Sequence, residues 1–150
     1  MPAFITFGRI LFSVVFIYSG LTKLFAIAAT AESISAKLVI PALVAPYASQ
    51  LETATAMSTP QMLAIAIGAF EVIGGLMIAL NFGARFFAIL LIFLVAAATF
   101  YFYDFWNQPS PENTRTIVDA LKNLAIIGAL FMIAGYGRTP RTMEPVYRDL

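Results

Sequence analysis

The residues of this chain that could do chemistry are few, and several stand inside long apolar runs. Glu71 lies at the centre of the run 61–80, and its neighbours three and four residues away are Gly68, Gly74 and Gly75. In a helix that spacing puts the three glycines on the carboxylate's face. Arg9, Ser13, Phe16, Gly20 and Lys23 fall within roughly 80° of one another at about 100° per residue, one inward stripe with a cation near each end. Ser19 and Thr22 lie beside it. Asp119, Lys122 and Asn123 open a further apolar run, and Asp104 stands among Tyr101, Tyr103 and Trp106. Carboxylates and ammonium groups in such surroundings can carry a proton, hold the polar end of a ligand, or neutralise each other.

Other chemistries are absent by composition. The chain has no Cys and no His. It therefore lacks a disulfide framework, a thiol nucleophile, a thiolate metal site, cysteine-held iron–sulfur clusters, an axial haem histidine and an imidazole base. No metal site and no cofactor held by side-chain ligation is expected, and no catalytic residue is assigned.

The elements that must position these residues follow from the rest of the composition. Of 150 residues, 61% are apolar and 11% charged, against roughly 45–50% and about 25% in ordinary globular domains. Nine Lys+Arg nearly cancel eight Asp+Glu, which excludes a nucleic-acid binder because that needs a basic excess. Disorder is excluded because so apolar a chain buries surface. What survives is an all-α integral membrane protein, one domain over 1–150.

A spanning helix needs about 20 largely apolar residues. Four segments qualify, at about residues 4–29, 61–80, 85–103 and 117–136. Their punctuation agrees. Ser58-Thr59-Pro60 reads as a cap with proline in the first turn. Asn81-Phe82-Gly83 is a tight turn, and Asn107-Gln108-Pro109-Ser110-Pro111 separates the third span from the fourth. Gly135-Tyr136-Gly137, followed by Pro140, ends the fourth. Strands are not expected, since the runs are long and lack dyad alternation. Ala29-Thr30-Ala31 resembles a signal cleavage site, but the run before it is longer than a signal core, so a retained helix is expected.

Four spans put both termini on one side. With termini inside, the cytoplasmic ends hold Arg9, Arg85, Arg138, Arg141 and Arg148, and the other side holds Lys37 and Arg115. The positive-inside rule then predicts cytoplasmic termini. The connection 30–59 lies outside; it is apolar but broken by Pro41 and Pro46, which suits helical pieces in the outer interface or a lid over the bundle. The tail 137–150 is expected along the cytoplasmic headgroups.

On this topology Lys23, Asp104, Lys122 and Asn123 sit in the outer half and Glu71 at mid-depth. A charge at mid-bilayer costs roughly 2.5–3.5 kcal/mol by insertion scales, so such groups turn toward protein or water. Glu71 is expected to pair with Lys122 or Lys23. The cluster has two readings: a brace that fixes helix register, or a polar pocket open to the outer side for quinone or another small ligand. Gly68, Gly74, Gly75 and Gly128 are expected to pack helices closely.

These residues together resemble the DoxX family. Gly8-Arg9-Ile10-Leu11 with Ser19-Gly20-Leu21-Thr22-Lys23-Leu24 is similar to its opening. Glu71-Val72-Ile73-Gly74-Gly75-Leu76, then Gly83 and Arg85, is similar to its second-helix motif, and Asp104-Phe105-Trp106 and Leu121-Lys122-Asn123-Leu124-Ala125-Ile126-Ile127-Gly128 complete the pattern. The resemblance spans nearly the whole chain. It implies a bacterial four-helix, multi-pass inner (plasma) membrane protein. Some relatives of DoxD type are subunits of a thiosulfate:quinone oxidoreductase, and others are associated with redox-stress complexes. The family often has His just before Asp-Phe-Trp; this chain has Tyr103, which removes a titratable group.

Three functions fit this reading. The first is a non-catalytic accessory subunit packed against a larger respiratory or photosynthetic membrane complex, or a homo-oligomer. The second is the membrane subunit of a quinone-linked oxidoreductase, whose redox cofactors sit on a partner. The third is a small-solute carrier, disfavoured by four helices without a broken-helix repeat. Membrane lipids are partners in every case, and bound quinone or lipid is the expected small ligand.

Overall fold

In lipid an apolar run has no hydrogen-bond partner for its backbone except itself, so it folds as a helix. The computed structural model describes residues 2–111 and 113–136. It contains six helices among these: α1 Pro2–Phe25, α2 Ile27–Ser35, α3 Ala45–Thr55, α4 Thr59–Ala79, α5 Ala84–Phe102 and α6 Asn113–Tyr136. Four of them, α1, α4, α5 and α6, are long and apolar enough to cross a membrane. The arrangement is all-helical, as the composition predicts. The tail 137–150, with Arg138, Arg141 and Arg148, lies outside the described residues.

Two boundaries differ from those read in the sequence. The run expected as one helix over 4–29 breaks at Ala26, whose backbone (φ −122°, ψ 50°) is not helical, and α2 begins at Ile27. No proline or glycine forces the break. The turn lets α2 lie along α4 and bury Ala31 and Ile34. The last span begins at Asn113 rather than 117. Its first turn is polar, so an apolar window misses it; the Asn113 and Thr114 N–H groups donate to the carbonyls of Pro109 and Pro111.

The centre of the fold is α4, which packs against α1, α2 and α5 and touches α3 lightly. α6 packs chiefly on α5. The turn joining α4 to α5 uses left-handed backbone at Asn81 (φ 58°) and Gly83 (φ 57°), where glycine and asparagine are the least strained residues. Above this turn sits the main apolar core, built from Phe16, Ile78, Ala84, Ala88, Leu91 and Leu130.

Burial is uneven along the bundle. In α5 the buried residues are Ala84, Ala88 and Leu91, all in its first half. In α6 the buried position is Leu130, toward its C-terminal end. The α5–α6 pair is therefore tightly packed at the α4–α5 turn and more open at its other end, whereas α4 is buried along its length from Ala64 to Ile78. The functional candidates lie in the middle and at that open end.

Candidate functional site

The stripe on α1 faces α4. Ser13 and Phe16 are fully or nearly buried, Gly20 is buried, and Arg9 and Lys23 are half-buried. Small residues let the two backbones come almost into contact. A Cβ built on Gly20 would stand 2.5 Å from the Gly68 carbonyl oxygen and 2.9 Å from the Val72 nitrogen. One built on Gly75 would stand 2.9 Å from Ile17 Cγ1 and 3.1 Å from the Ser13 carbonyl oxygen. Gly74 faces the other way, toward Leu91 of α5. The glycine face around Glu71 thus serves two neighbours, α1 and α5.

Glu71 lies in this contact. Its Oε2 accepts a 2.7 Å hydrogen bond from Lys23 Nζ, which makes a salt bridge with side chains 11% and 29% exposed respectively. The same Nζ donates to Ser19 Oγ at 2.6 Å and to the Ser19 carbonyl at 3.5 Å. Of the three donors of an ammonium, two make short bonds here and the third is left with the distant Ser19 carbonyl. Lys23 stands near the C-terminal end of α1, where Cα–Cβ bonds tilt back toward the helix N-terminus. Its chain therefore runs toward mid-span and the carboxylate, not out to the surface as a snorkelling lysine would.

The other candidates do not join this pair. Lys122 is 68% exposed and donates to Asp119 Oδ1 at 2.9 Å, its i−3 neighbour on α6. Lys122 belongs to α6, which packs chiefly on α5, whereas Glu71 belongs to α4, which packs on α1, α2 and α5. That arrangement of helices keeps it from Glu71. Asn123 Nδ2 instead donates to Thr99 Oγ1 at 2.9 Å, a bond between α6 and α5. Asp104 accepts from Asn107 Nδ2 at 2.8 Å within the α5–α6 connection. Among the described residues no hydrogen bond or ion pair links these three groups. The single cluster of Lys23, Glu71, Asp104, Lys122 and Asn123 expected from topology is therefore several separate contacts. Gly128 also departs from expectation, because a Cβ there would meet nothing within 4 Å: it lies on the exposed side of α6.

A shallow cleft of about 250 Å³ opens between α5 and α6 at the loose end, lined chiefly by Ala96, Thr99, Phe100, Trp106, Leu124 and Ile127. The Phe100 and Trp106 rings lie 5.5 Å apart at its rim. Its lining is apolar except for Thr99, and it does not include Lys23 or Glu71. Tyr103, at the position where the family often has His, caps α5, its N–H donating to the Thr99 carbonyl. Among the described residues no group of three or more Asp or Glu side chains is gathered as metal ligands.

Two polar contacts have no counterpart in the sequence reading. Glu52 Oε1 accepts from both the N–H (2.6 Å) and the Oγ1 (2.7 Å) of Thr59, the first residue of α4. These bonds hold the Glu52 carboxyl below the ordinary glutamate range. The N-terminus of a helix has unpaired N–H groups and favours an anion. The signal was available: Glu52 is the sole acid between Glu32 and Glu71, shortly before a cap sequence. At the opposite end Arg85 Nε donates to the Ala134 carbonyl at 2.8 Å, near the end of α6. Its place at a membrane end suggests only topology; its role as a C-terminal cap depends on which helices neighbour each other.

The chain matches the DoxX family model over residues 4–104. The match takes in the α1 motif, the Glu71 motif and Asp104, and stops before the Leu121–Gly128 segment of the resemblance. No curated protein and no solved structure matches the chain.

Proposed function

The chain belongs to the DoxX family of membrane proteins, and we propose that it serves as a non-catalytic accessory subunit. It packs against a larger respiratory or photosynthetic complex in the bacterial inner membrane, with both termini cytoplasmic. The observation that carries this reading is the Lys23–Glu71–Ser19 contact between α1 and α4. Two ammonium donors of Lys23 make short bonds, to Glu71 Oε2 and Ser19 Oγ, and the third meets the Ser19 carbonyl at 3.5 Å, an arrangement that favours a brace over a ligand-binding group. A pair of this kind braces two helices and gives the bundle a fixed register. Working surface is then sought on the outside, where Leu121, Leu124, Phe131 and Met132 of α6 stand exposed beside the open Gly128.

A second reading has one specific observation in its favour. The α5–α6 cleft is lined by Phe100, Trp106 and Leu124, with the Thr99–Asn123 bond beside it. An apolar slot with a few polar groups is the ordinary form of a small-ligand site, and a quinone ring with its isoprenoid tail is a ligand of that shape. In this reading the chain is the membrane subunit of a quinone-linked oxidoreductase, and the redox centres lie on its partner.

Purification in mild detergent, with mass identification of co-purifying proteins and lipophilic molecules, separates the two. An accessory subunit emerges in fixed ratio with a larger complex. A quinone subunit retains quinone, and Leu124→Trp, which fills the cleft, releases it. A chain that emerges alone and ligand-free contradicts both.

A further inference from the structure

The helix α3 has no buried residue and, among the described residues, its main helix contact is a light one with α4. It nevertheless carries an apolar stripe. Leu43 stands just before it, in the turn that the Ala45 N–H closes on the Pro41 carbonyl, and Tyr47 and Leu51 follow at four-residue spacing on one helix face. They are 87%, 66% and 55% exposed. Val44, beside them, is exposed as well. Large apolar side chains that no described part of the chain covers, arranged on one side of a short helix, call for an apolar surrounding.

The position of α3 says which surrounding this is. Glu52 ties α3 to Thr59, the first residue of a membrane-spanning helix. Thr55 adds a contact from its Oγ1 to Met62 Sδ at 3.4 Å. The clasp fixes α3 at the depth where the span begins, which is the boundary between hydrocarbon and headgroups. Glu52 is the one charged residue between Leu38 and Ser58, and it lies about 120° around the helix from the centre of the stripe, on the side toward α4. Ser49 and Thr53 fall on the opposite side from the stripe. The stripe carries no cation to attract acidic headgroups and no acid to repel them. Tyr47 adds an amphipathic ring of the kind that settles at this level.

We infer that α3 is a membrane-surface anchor that lies in the bilayer interface, with Leu43, Tyr47 and Leu51 inserted among the upper acyl chains and the Glu52–Thr59 clasp setting its depth and rotation. The occupant of the stripe is lipid. A second copy of the chain or a partner protein would cover the same face but would exclude lipid from it.

The chain has no cysteine, so each single-cysteine variant of the full-length protein takes a nitroxide label at one site. Leu43→Cys, Tyr47→Cys and Leu51→Cys are compared with Ser49→Cys and Thr53→Cys in vesicles of phosphatidylcholine with phosphatidylglycerol. Collision with oxygen, which concentrates in lipid, is measured against collision with a water-soluble nickel chelate. The oxygen-to-nickel ratio is expected to be several-fold higher at 43, 47 and 51 than at 49 and 53. Equal ratios on both faces would overturn the inference, because the stripe would then lie in water. Shielding of the stripe from both reagents would also overturn it, because protein would then cover it.

Discussion

Lys23 reaches Glu71 by turning inward along α1, and the 2.7 Å bond between them lies where Gly20, Gly68 and Gly75 bring α1 and α4 closest. The lysine is attached near the end of its helix, and the carboxylate near the middle of the other. The tilt of helical side chains toward the N-terminus spans that offset. The pair and the glycines thus depend on each other: the close approach shuts out alternative partners, and the ion pair makes the buried carboxylate tolerable.

Removing one partner leaves the other charge uncompensated. Breaking a buried pair costs about 3–5 kcal/mol, and the partial exposure of Lys23 places this one near the lower end. Glu71→Leu and Lys23→Met are each expected to destabilise the protein by about 3 kcal/mol, read as thermal unfolding in a fixed detergent. Values within about 0.5 kcal/mol of wild type, ordinary for surface changes, would mean that the pair carries no structural weight.

The glycines make a graded prediction. Gly20→Ala sets a methyl 2.5 Å from a backbone carbonyl oxygen, which no rotamer change relieves. Overpacking of this kind costs about 1–3 kcal/mol. Gly128→Ala meets open space and should stay within about 0.5 kcal/mol of wild type. If α6 is a docking face, Gly128→Leu should leave the isolated protein stable and lower its recovery in a complex. Unfolding midpoints and co-purification ratios, taken on the same samples, check both halves.

The Glu52–Thr59 clasp depends on pH. Because folding lowers the carboxyl's proton affinity, the clasp contributes its stability above the ordinary glutamate value, about 4.3. That contribution fades as pH falls through the lower folded value. Hydrogen exchange at the Thr59 amide should therefore accelerate below about pH 4 relative to the middle of α4. Glu52→Gln should flatten that pH dependence. An amide equally protected at pH 3 and pH 6 would contradict the clasp.

Arg85 closes the other end of the bundle through the Ala134 carbonyl. A cation at a helix C-terminus contributes about 0.3–1 kcal/mol at exposed sites. Arg85→Gln should cost no more than that, with the loss concentrated in exchange protection of the last turn of α6. A global loss of several kcal/mol would assign Arg85 a larger part than the cap.

Much of this fold is written in periodicity. The four spans, their turns at Asn81–Gly83 and Asn107–Pro111, and the α1 stripe all follow from apolar length and angular arithmetic. The Glu71–Lys23 alternative was legible because each residue lay on a face rich in small or polar residues. The choice of Lys23 over Lys122 was not, since depth alone gives both lysines access. What decides it is neighbourhood: α1 packs on α4, whereas α6 packs on α5. The α5–α6 cleft was hidden for the same reason, because its lining combines residues from two helices and the connecting loop. The break at Ala26 carries no proline or glycine and so left no local signal.

The account rests on the Lys23–Glu71 pair as a brace, and the double variant Lys23→Met/Glu71→Leu tests that most directly. Replacing a buried ion pair with apolar residues of similar volume is often neutral or stabilising by about 1–4 kcal/mol. The measurement is the recovery of the folded double variant with its co-purifying complex in mild detergent, relative to wild type. The brace predicts a folded protein at the wild-type ratio. A folded double variant that has lost its complex would contradict it, since the charges themselves would then be the working part.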